Sequence, residues 1–279
     1  MTVVIATRNR RERLLCTLDR LAELPERPAV VVVDNGSRDG VVTAARRHPI
    51  AATVIELGEN RGAAARNTGA KAAGSEYVAF SDDDSWWQAG ALTRAAALLD
   101  GHPTLAVIAA RVLVGPQRRL DPTCAVMAAS PLDRDDALPG PSVLGFVACA
   151  AVVRRSAFLA TGGFERRLGI GGEEELLAID LAARGDRLAY VDDVVAIHEP
   201  ARAIRPGRDR ATLRNSLLVA WLRRPGGDAL RRSVGLLERH RDRRQALLAV
   251  LDALRATRWV IGERRAIPPA LARELRALD

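Results

Sequence analysis

Residues 77–87 read YVAFSDDDSWW and join an apolar run to three consecutive carboxylates and two indoles. The run Tyr77–Phe80 is typical of a buried strand. Three adjacent anions repel one another, so Asp82, Asp83 and Asp84 need solvent, arginines or a divalent cation nearby, and hard cations prefer oxygen ligands. An Asp triplet on its own more commonly begins a helix. The neighbouring segments therefore decide between a helix cap and a binding site.

Strand-like and helix-like patterns alternate up to this stretch. Strands are predicted at residues 2–6, 29–33, 53–57 and 77–80, and helices at 12–24, 41–47 and 62–73. This alternation predicts parallel strands with crossover helices. Ligands of such sheets bind at the carboxyl ends of the strands. We therefore expect Thr7-Arg8, Asp34 to Asp39 and Asp82 to Asp84 to converge on one crevice.

The rest of the chain continues as α/β and then becomes helical. The prediction is a helix at 89–99, a strand at 105–114, a long loop at 115–141, a strand at 143–153, helices at 155–160 and 173–184, and strands at 187–191 and 194–197. Further helices are predicted at 211–223, 228–239, 241–259 and 269–278. These patterns divide the chain into an α/β domain, residues 1–204, and an arginine-rich helical extension, residues 205–279, packed on or beside it.

Composition limits the class of protein. Of the 279 residues, 48% are hydrophobic, which is enough for a sizeable core and argues against disorder. No apolar run is as long as a membrane-spanning helix, and the chain begins in a strand pattern instead of a signal peptide. The three cysteines have no CxxC spacing, so neither a disulfide framework nor a zinc site is expected. A reducing, cytoplasmic location follows as the expectation, with the inner face of the membrane left open.

The formal net charge is +8, and arginines cluster after residue 202. A basic C-terminal third could contact nucleic acid, anionic lipid or an anionic substrate, or simply carry arginines on solvated helix faces. No nucleic-acid-binding motif accompanies the charge, so no nucleic-acid partner is expected. A peripheral membrane contact through these helices stays open, although no anchor rich in Trp and Phe is evident.

Two acidic groups suggest chemistry at the predicted crevice. One is Asp82 to Asp84, and the other is Glu173 to Glu175 at a helix start, where the helix dipole favours the ionised form. His198, at another strand end, could complete a metal site. Carboxylates with Mg²⁺ imply a substrate rich in phosphate oxygens, and a separate carboxylate could act as general base. Nearby arginines suit the same substrate: Arg8, Arg10, Arg61 and Arg66.

Seven stretches, taken together, resemble a family 2 glycosyltransferase of the GT-A type over roughly residues 2–200. They are VVIATRNR (3–10), VVVDNGSRDG (31–40), NRGAAARNTGA (60–70), YVAFSDDD (77–84), TGGFE (161–165), GEE (172–174) and VVAIH (194–198). The resemblance implies a Rossmann-like, mixed but mostly parallel sheet flanked by helices, followed here by the helical extension. It also implies inverting transfer of a sugar from a nucleotide-diphosphate donor to a glycan, lipid-linked or small-molecule acceptor.

The resemblance assigns roles residue by residue. Metal binding, to Mn²⁺ or Mg²⁺, falls to Asp84, Asp82 and His198, with Asp84 the expected direct ligand. Glu174 takes the position of the general base, where the family usually has Asp, and Glu173 supports it or the acceptor. The nucleotide-sugar-binding set is Thr7, Arg8, Asp34, Asn35, Arg66, Asn67, Asp82, Asp83 and Gly163. Within that set, Asp83 is expected to point away from Asp82 and Asp84.

Two other functions are alternatives to this one. A nucleotidyltransferase also joins such a sheet to acidic metal ligands, but it would typically have a loop rich in Gly and Lys where this chain has Thr7-Arg8-Asn9-Arg10. A catalytically degenerate domain could act as a binding module, but Asp82, Asp84 and Glu174 are all present. Hydrolysis of nucleotide sugars with Mn²⁺ would separate the three.

Overall fold

The computed structural model describes residues 1–200 and 207–279. Their strands form one mixed sheet of nine strands. Its strands are β1 (Thr2–Thr7), β2 (Ala29–Asp34), β3 (Thr53–Glu56), β4 (Tyr77–Asp82), β5 (Ser85–Trp87), β6 (Leu105–Val114), β7 (Arg119–Leu120), β8 (Ala151–Arg154) and β9 (Arg187–His198). The helices are α1 (Arg11–Ala22), α2 (Val41–Arg47), α3 (Ala65–Ala72), α4 (Ala91–Gly101), α5 (Pro122–Ala128), α6 (Arg155–Ala160), α7 (Glu173–Ala183), α8 (Arg208–Arg223), α9 (Gly226–Arg239), α10 (Arg243–Arg255), α11 (Thr257–Glu263) and α12 (Pro269–Ala277).

The first half of the sheet is parallel, as predicted. Its strands lie in the order β3-β2-β1-β4, and the apolar side chains of β1, β2 and β4 are largely buried, while those of the edge strand β3 are half-buried. The register pairs Thr7 with Asp34 and Ala6 with Asp82. The carboxyl ends of β1, β2 and β4 are therefore level with one another, which confirms the predicted convergence at one edge.

A glycine lets α3 lie directly against this sheet. A Cβ atom at Gly69 would lie 2.4 Å from Cγ1 of Val4 and 3.1 Å from Cγ2 of Val33. Because atoms cannot approach that closely, only glycine permits this helix–strand distance. The close packing fixes Arg66 and Asn67, which lie earlier in the same helix.

The second half of the sheet is mixed in direction. β8 pairs antiparallel with both β4 and β6, β9 runs parallel to β6, and β5 closes the sheet antiparallel to β9. β7 forms a short hairpin on β6. The pairing of Ser85 with His198 brings the residue after the acidic triplet beside the end of β9. The structure confirms the predicted fold class, which is an α/β fold with a mixed, mostly parallel sheet flanked by helices.

Several predicted boundaries in this second half are wrong. The strand predicted at 143–153 is formed only at β8, because Val143 to Val147 are irregular and a 3-10 turn at Ala148–Ala150 precedes the ladder. The strands predicted at 187–191 and 194–197 are one strand: the register jumps from Val191 to Val195, so the chain bulges there without leaving the sheet. The predicted loop 115–141 includes β7 and α5, and the short strand β5 was not predicted.

The C-terminal helices pack against the α/β part. Leu176 and Ile179 of α7 share a buried cluster with α8 and α12, and paired charges such as Arg223–Asp180 reinforce it. The predicted helix 241–259 is interrupted at Ala256, where α10 ends before α11 begins. The predicted domain boundary at 204/205 lies outside the described residues. In the described part of the chain, no helix is both long and apolar enough to cross a membrane.

Candidate active site

The loops after β1 and β2 are fastened to each other at the carboxyl edge. The backbone N–H of Asn9 donates to Oγ of Ser37 at 2.9 Å, and the N–H of Arg38 donates to Oδ1 of Asn9 at 2.8 Å. Asp34 is buried and accepts hydrogen bonds from the N–H groups of Gly36 and Ser37. These bonds give the crevice a fixed wall. Arg8, another residue of the predicted nucleotide set, is exposed.

The acidic triplet leaves the strand in a turn. β4 ends at Asp82, so Asp83 and Asp84 are turn residues and do not alternate as strand residues do. Asp83 is buried, accepts from Oγ1 of Thr7 at 2.9 Å, and pairs with Arg10 at 2.6 Å. The same guanidinium pairs with Asp84 at 2.8 Å. The prediction that Asp83 points away from Asp84 is therefore wrong, because both carboxylates face Arg10.

Asp83 and Asp84 differ in their affinity for protons. Burial raises the pKa of Asp83 to about 6, with Arg10 and Thr7 only partly opposing the rise. Burial also disfavours the anion at Asp84, but the hydrogen bond from His198 and the charge of Arg10 outweigh it and lower that pKa. Nε2 of His198 lies 3.4 Å from Oδ1 of Asp84. Asp84 is thus held as an anion against a histidine.

Arg66 is the second cation of the site. It is buried, pairs with Asp82, and its charge also acts on Glu173 and Glu174 at the start of α7. The triplet on β4 and the acidic helix start on α7, far apart in sequence, are therefore neighbours. Their convergence, predicted from strand ends and a resemblance, is present in the structure.

The two glutamates lie in a poorly solvated environment. Burial, followed by repulsion from Glu174, raises the pKa of Glu173 to about 8, and Oε2 of Glu173 has no hydrogen-bond partner among the described residues. Burial also raises the pKa of Glu174, while Arg66 and the Ala148 backbone oppose the rise. A raised pKa gives a carboxylate more affinity for a proton, as a general base at neutral pH requires.

One group of side chains has the chemistry of a metal site. Ligand atoms of Asp82, Cys149 and His198 all lie within 4.8 Å of one another. A carboxylate oxygen, a thiol sulfur and an imidazole nitrogen fit a first-row divalent ion. Two of these residues, Asp82 and His198, belong to the predicted metal set. Asp84, the expected direct ligand, lies outside this group, and its carboxylate contacts Arg10 and His198.

The turn at residues 161–164 is held by an amide. Asn67 accepts from the N–H of Phe164 and donates to its carbonyl, both at 2.9 Å. Phe164 in turn packs with Phe80 and Phe158 in a cluster of tilted rings 5.2–5.5 Å apart. Both hydrogen-bonding atoms of the Asn67 amide are thus already engaged in positioning the turn that contains Gly163, another predicted site residue.

Asn35 has a comparable positioning contact. Its Oδ1 accepts from the N–H of Arg61 at 2.8 Å, and its Nδ2 donates to the carbonyl of Gly62 at 3.0 Å. These bonds fasten the start of the segment that leads into α3. The structure therefore places both amides of the predicted nucleotide set in contacts that shape the crevice wall.

Sequence reasoning did not include Arg10 or Cys149 among the site residues. Arg10 was grouped only with arginines suited to a phosphate, and its pairing with two of the three aspartates depends on a loop conformation. Cys149 is not a candidate ligand by sequence, because its spacing to Cys124 and Cys16 has no metal-binding pattern. The apolar run around it, with a histidine at the end of another strand, gives no local signal of ligation.

Known proteins resemble this chain in both sequence and fold. Residues 2–161, more than half of the chain, match the profile of Glycosyl transferase family 2. The chain belongs to this family. Two relatives from Mycobacterium tuberculosis strains, both named pre-mycofactocin glycosyltransferase, are 32% identical to this family 2 chain over 218 residues. The match covers 74% of this chain and 44% of theirs, so the chain spans less than half the length of these relatives.

Solved structures with the same fold include a mannosyltransferase and a protein bound to a nucleotide sugar. The mannosyltransferase PcManGT from Pyrobaculum calidifontis, solved with GDP-Man and Mn²⁺, has a TM-score of 0.62 and 22% identity, covering 99% of this chain and 84% of that one. S. aureus TarS 1–349, solved with UDP-GlcNAc, has a TM-score of 0.60 and 17% identity, covering 91% of this chain and 71% of that one. These likenesses confirm the predicted GT-A fold.

The packing of the 161–164 turn generates a stability prediction. A Cβ at Gly163 would lie 2.5 Å from Oδ1 of Asn67 and 2.8 Å from Cζ of Phe158, whereas one at Gly162 would meet open space. Both glycines have a positive φ, +74° and +88°. Each Ala substitution should therefore lose about 1–2 kcal/mol of unfolding free energy from backbone strain, and Gly163→Ala a further ~1–3 kcal/mol from overpacking.

Urea denaturation of the two variants measures the difference, with Gly162→Ala as the matched control. An equal loss of unfolding free energy in both variants would contradict the tight contact between Gly163 and Asn67.

Proposed function

We propose that this family 2 member transfers a sugar from a nucleoside diphosphate donor to an acceptor hydroxyl, with inversion at the anomeric carbon. The observation that carries the proposal is the convergence of Asp82, Asp84, His198 and Glu174 at one edge of the sheet, around Arg66 and Arg10. Family membership supports the same chemistry. The acceptor class stays as broad as the sequence predicted: a glycan, a lipid-linked molecule or a small molecule.

The donor would be bound by the wall of the crevice. Thr7 and Asp34 end adjacent strands, and the buried Arg66 pairs with Asp82 at the end of β4, the strand on the other side of β1, so the base and ribose would occupy this side. Gly163 lies on the opposite turn, which packs closely against Asn67 and Phe158 and would form the wall beside the donor sugar. Cations at the crevice, Arg8 and Arg66 among them, suit a diphosphate because guanidinium groups pair closely with phosphate oxygens.

Glu174 would act as the general base. The acceptor hydroxyl gives its proton to the Glu174 carboxylate, and the oxygen attacks the anomeric carbon from the face opposite the nucleotide. The bond between that carbon and the diphosphate oxygen breaks, and its electron pair leaves with the nucleoside diphosphate. Because attack and departure occur on opposite faces, the anomeric configuration inverts. Glu173, largely protonated at neutral pH, would donate a hydrogen bond to the acceptor or support Glu174.

A divalent ion, Mn²⁺ or Mg²⁺, would be held by Asp82 and His198, with Asp84 and Cys149 completing the set. When bound, such an ion stabilises the negative charge that develops on the diphosphate leaving group. The donor set itself favours Mn²⁺ over Mg²⁺, because imidazole and thiolate ligands suit the softer transition metals.

The base assignment predicts a pH profile as well as a loss of turnover. Hydrolysis of a nucleotide sugar, with water replacing the acceptor, should fall by about 10²–10⁴-fold in Glu174→Gln, because general-base catalysis contributes about that much. The base works only when ionised and its pKa is raised. The rate should therefore rise with pH, with its half-maximum above the ordinary glutamate range.

Glu173→Gln is the matched control. Since the Glu173 carboxyl is mostly neutral below its pKa of about 8, replacing it with glutamine should leave unchanged the rise of the rate with pH, here called the acidic limb of the pH profile. Donor binding, measured by calorimetry, should survive both substitutions. Retained turnover in Glu174→Gln, or loss of the limb in Glu173→Gln, would show that Glu174 is not the base.

The metal assignment predicts a spectroscopic signature that does not depend on turnover. Co²⁺ titrated into the protein should produce a thiolate-to-cobalt charge-transfer band, because a coordinating thiol loses its proton to the metal. Cys149→Ala should remove this band and retain the weaker ligand-field bands. Cys16→Ala should retain both, since Cys16 is exposed and absent from the group of ligands. A Co²⁺ complex without the band, or a band that survives Cys149→Ala, would exclude ligation by the Cys149 sulfur.

A further inference from the structure

Exposed apolar side chains are concentrated on the C-terminal helices. Eight of the eleven large hydrophobic residues exposed in the described chain lie within residues 207–279. On α9, Leu230, Val234 and Leu237 follow the i, i+4, i+7 spacing, and on α10 Leu247, Leu251 and Leu254 follow i, i+4, i+7 as well. Residues at this spacing lie on one helix face. Each helix therefore presents an apolar stripe that the fold leaves largely uncovered.

A cavity lies between these helices and connects the two stripes. Its volume is about 620 Å³, within the range of sites that hold a drug-sized apolar ligand. Leu237, the last residue of the α9 stripe, and Leu254, the last of the α10 stripe, both line it, together with Trp221 of α8. The indole N–H of Trp221 is satisfied by Ser233 at 3.1 Å. The wall is thus apolar, and the cavity opens onto the apolar face.

The charge of the same region is strongly positive. Residues 207–279 contain 17 arginines and 8 acidic residues, whereas residues 1–206 contain 25 basic and 26 acidic residues. Arg244 precedes Leu247 by three residues and so lies on the stripe face of α10. Arg241, Arg244 and Arg258 are exposed, and none pairs with an acidic side chain in the described part of the chain. The apolar face is therefore surrounded by cationic groups.

This combination identifies the partner. A second copy would bring two strongly cationic surfaces together, which like-charge repulsion opposes. Nucleic acid would satisfy the arginines but leave the leucine stripes in water. An anionic bilayer satisfies both, because arginines attract its headgroups while apolar residues enter the acyl boundary. No described helix is suited to cross the membrane, so such a contact lies on its surface.

We infer that α9, α10 and α11 dock onto an anionic lipid bilayer, with leucines of the two stripes facing the acyl region and an acyl chain entering the cavity beside Trp221. The surface is separate from the crevice at the carboxyl edge of the sheet. The inference goes beyond the proposed transfer reaction and holds whatever the donor sugar is.

Vesicle flotation tests the docking surface directly. The protein should float with vesicles of phosphatidylcholine and phosphatidylglycerol, and bind vesicles of phosphatidylcholine alone at least tenfold more weakly. The double substitution Leu247→Ser/Leu251→Ser should weaken anionic-vesicle binding at least tenfold. Val126→Ser is the matched control, because Val126 is 69% exposed, comparable to 61% for Leu247, but lies on α5. Circular dichroism checks that each variant is folded.

Tryptophan fluorescence tests the cavity. Trp86 and Trp87 are buried, and Trp259 is half-buried against the cluster shared by α7, α8 and α12. Trp221, at 39% exposure, should therefore dominate a blue shift on vesicle binding and be quenched by lipids with brominated chains, and Trp259→Phe is the matched control. Trp221→Phe should remove most of the quenching. Absence of binding to anionic vesicles, or equal binding by the double variant, would overturn the inference. A dimer in lipid-free solution that the double variant abolishes would instead assign the face to contact between copies.

Discussion

Two arginines hold together the acidic groups on which the site depends. Arg10 pairs with Asp83 and Asp84, and Arg66 pairs with Asp82 while its charge reaches Glu173 and Glu174. Two like charges 4 Å apart repel by about 4 kcal/mol at an effective dielectric constant of about 20. Without the guanidinium groups, these carboxylates would have to take up protons or move apart. The loop after β1 and helix α3 are therefore as important to the site as the acidic residues themselves.

The same cluster gives neighbouring carboxylates different protonation states. Asp84, beside His198 and Arg10, stays ionised, whereas Asp83 titrates near neutral pH with a pKa of about 6. Burial raises the pKa of Glu173 to about 8 and also raises the pKa of Glu174, so both carboxyl groups hold protons more tightly than an exposed glutamate does. Pairs of acids separated in this way by their surroundings can divide binding and proton transfer between them. The two aspartates are equally buried, so the hydrogen bond from His198 to Asp84, and not residue type or burial alone, makes that division.

The sequence predicted the parallel half of the sheet and the residues at its edge because both follow from local patterns. Apolar runs mark buried strands, and the sheet rule places their polar ends together. What depends on non-local contacts was not predictable: the turn that directs Asp83 to Arg10, the amide of Asn67 engaged by Phe164, and Cys149 beside His198. The exposed apolar stripes on α9 and α10 were not predicted either. The leucine spacing is visible in the sequence, but only the packing of the helices shows that this face is uncovered.

The central claim is that the acidic cluster binds the metal and diphosphate of a nucleotide sugar, and the melting temperature tests it most directly. A ligand that binds only the folded protein raises its melting temperature. A panel of UDP- and GDP-sugars should contain at least one that, together with Mn²⁺, raises the melting temperature by several degrees more than either component alone. Asp82→Asn should abolish this joint effect, because it removes a carboxylate ligand. No joint effect with any donor, or the same effect in Asp82→Asn, would contradict the account.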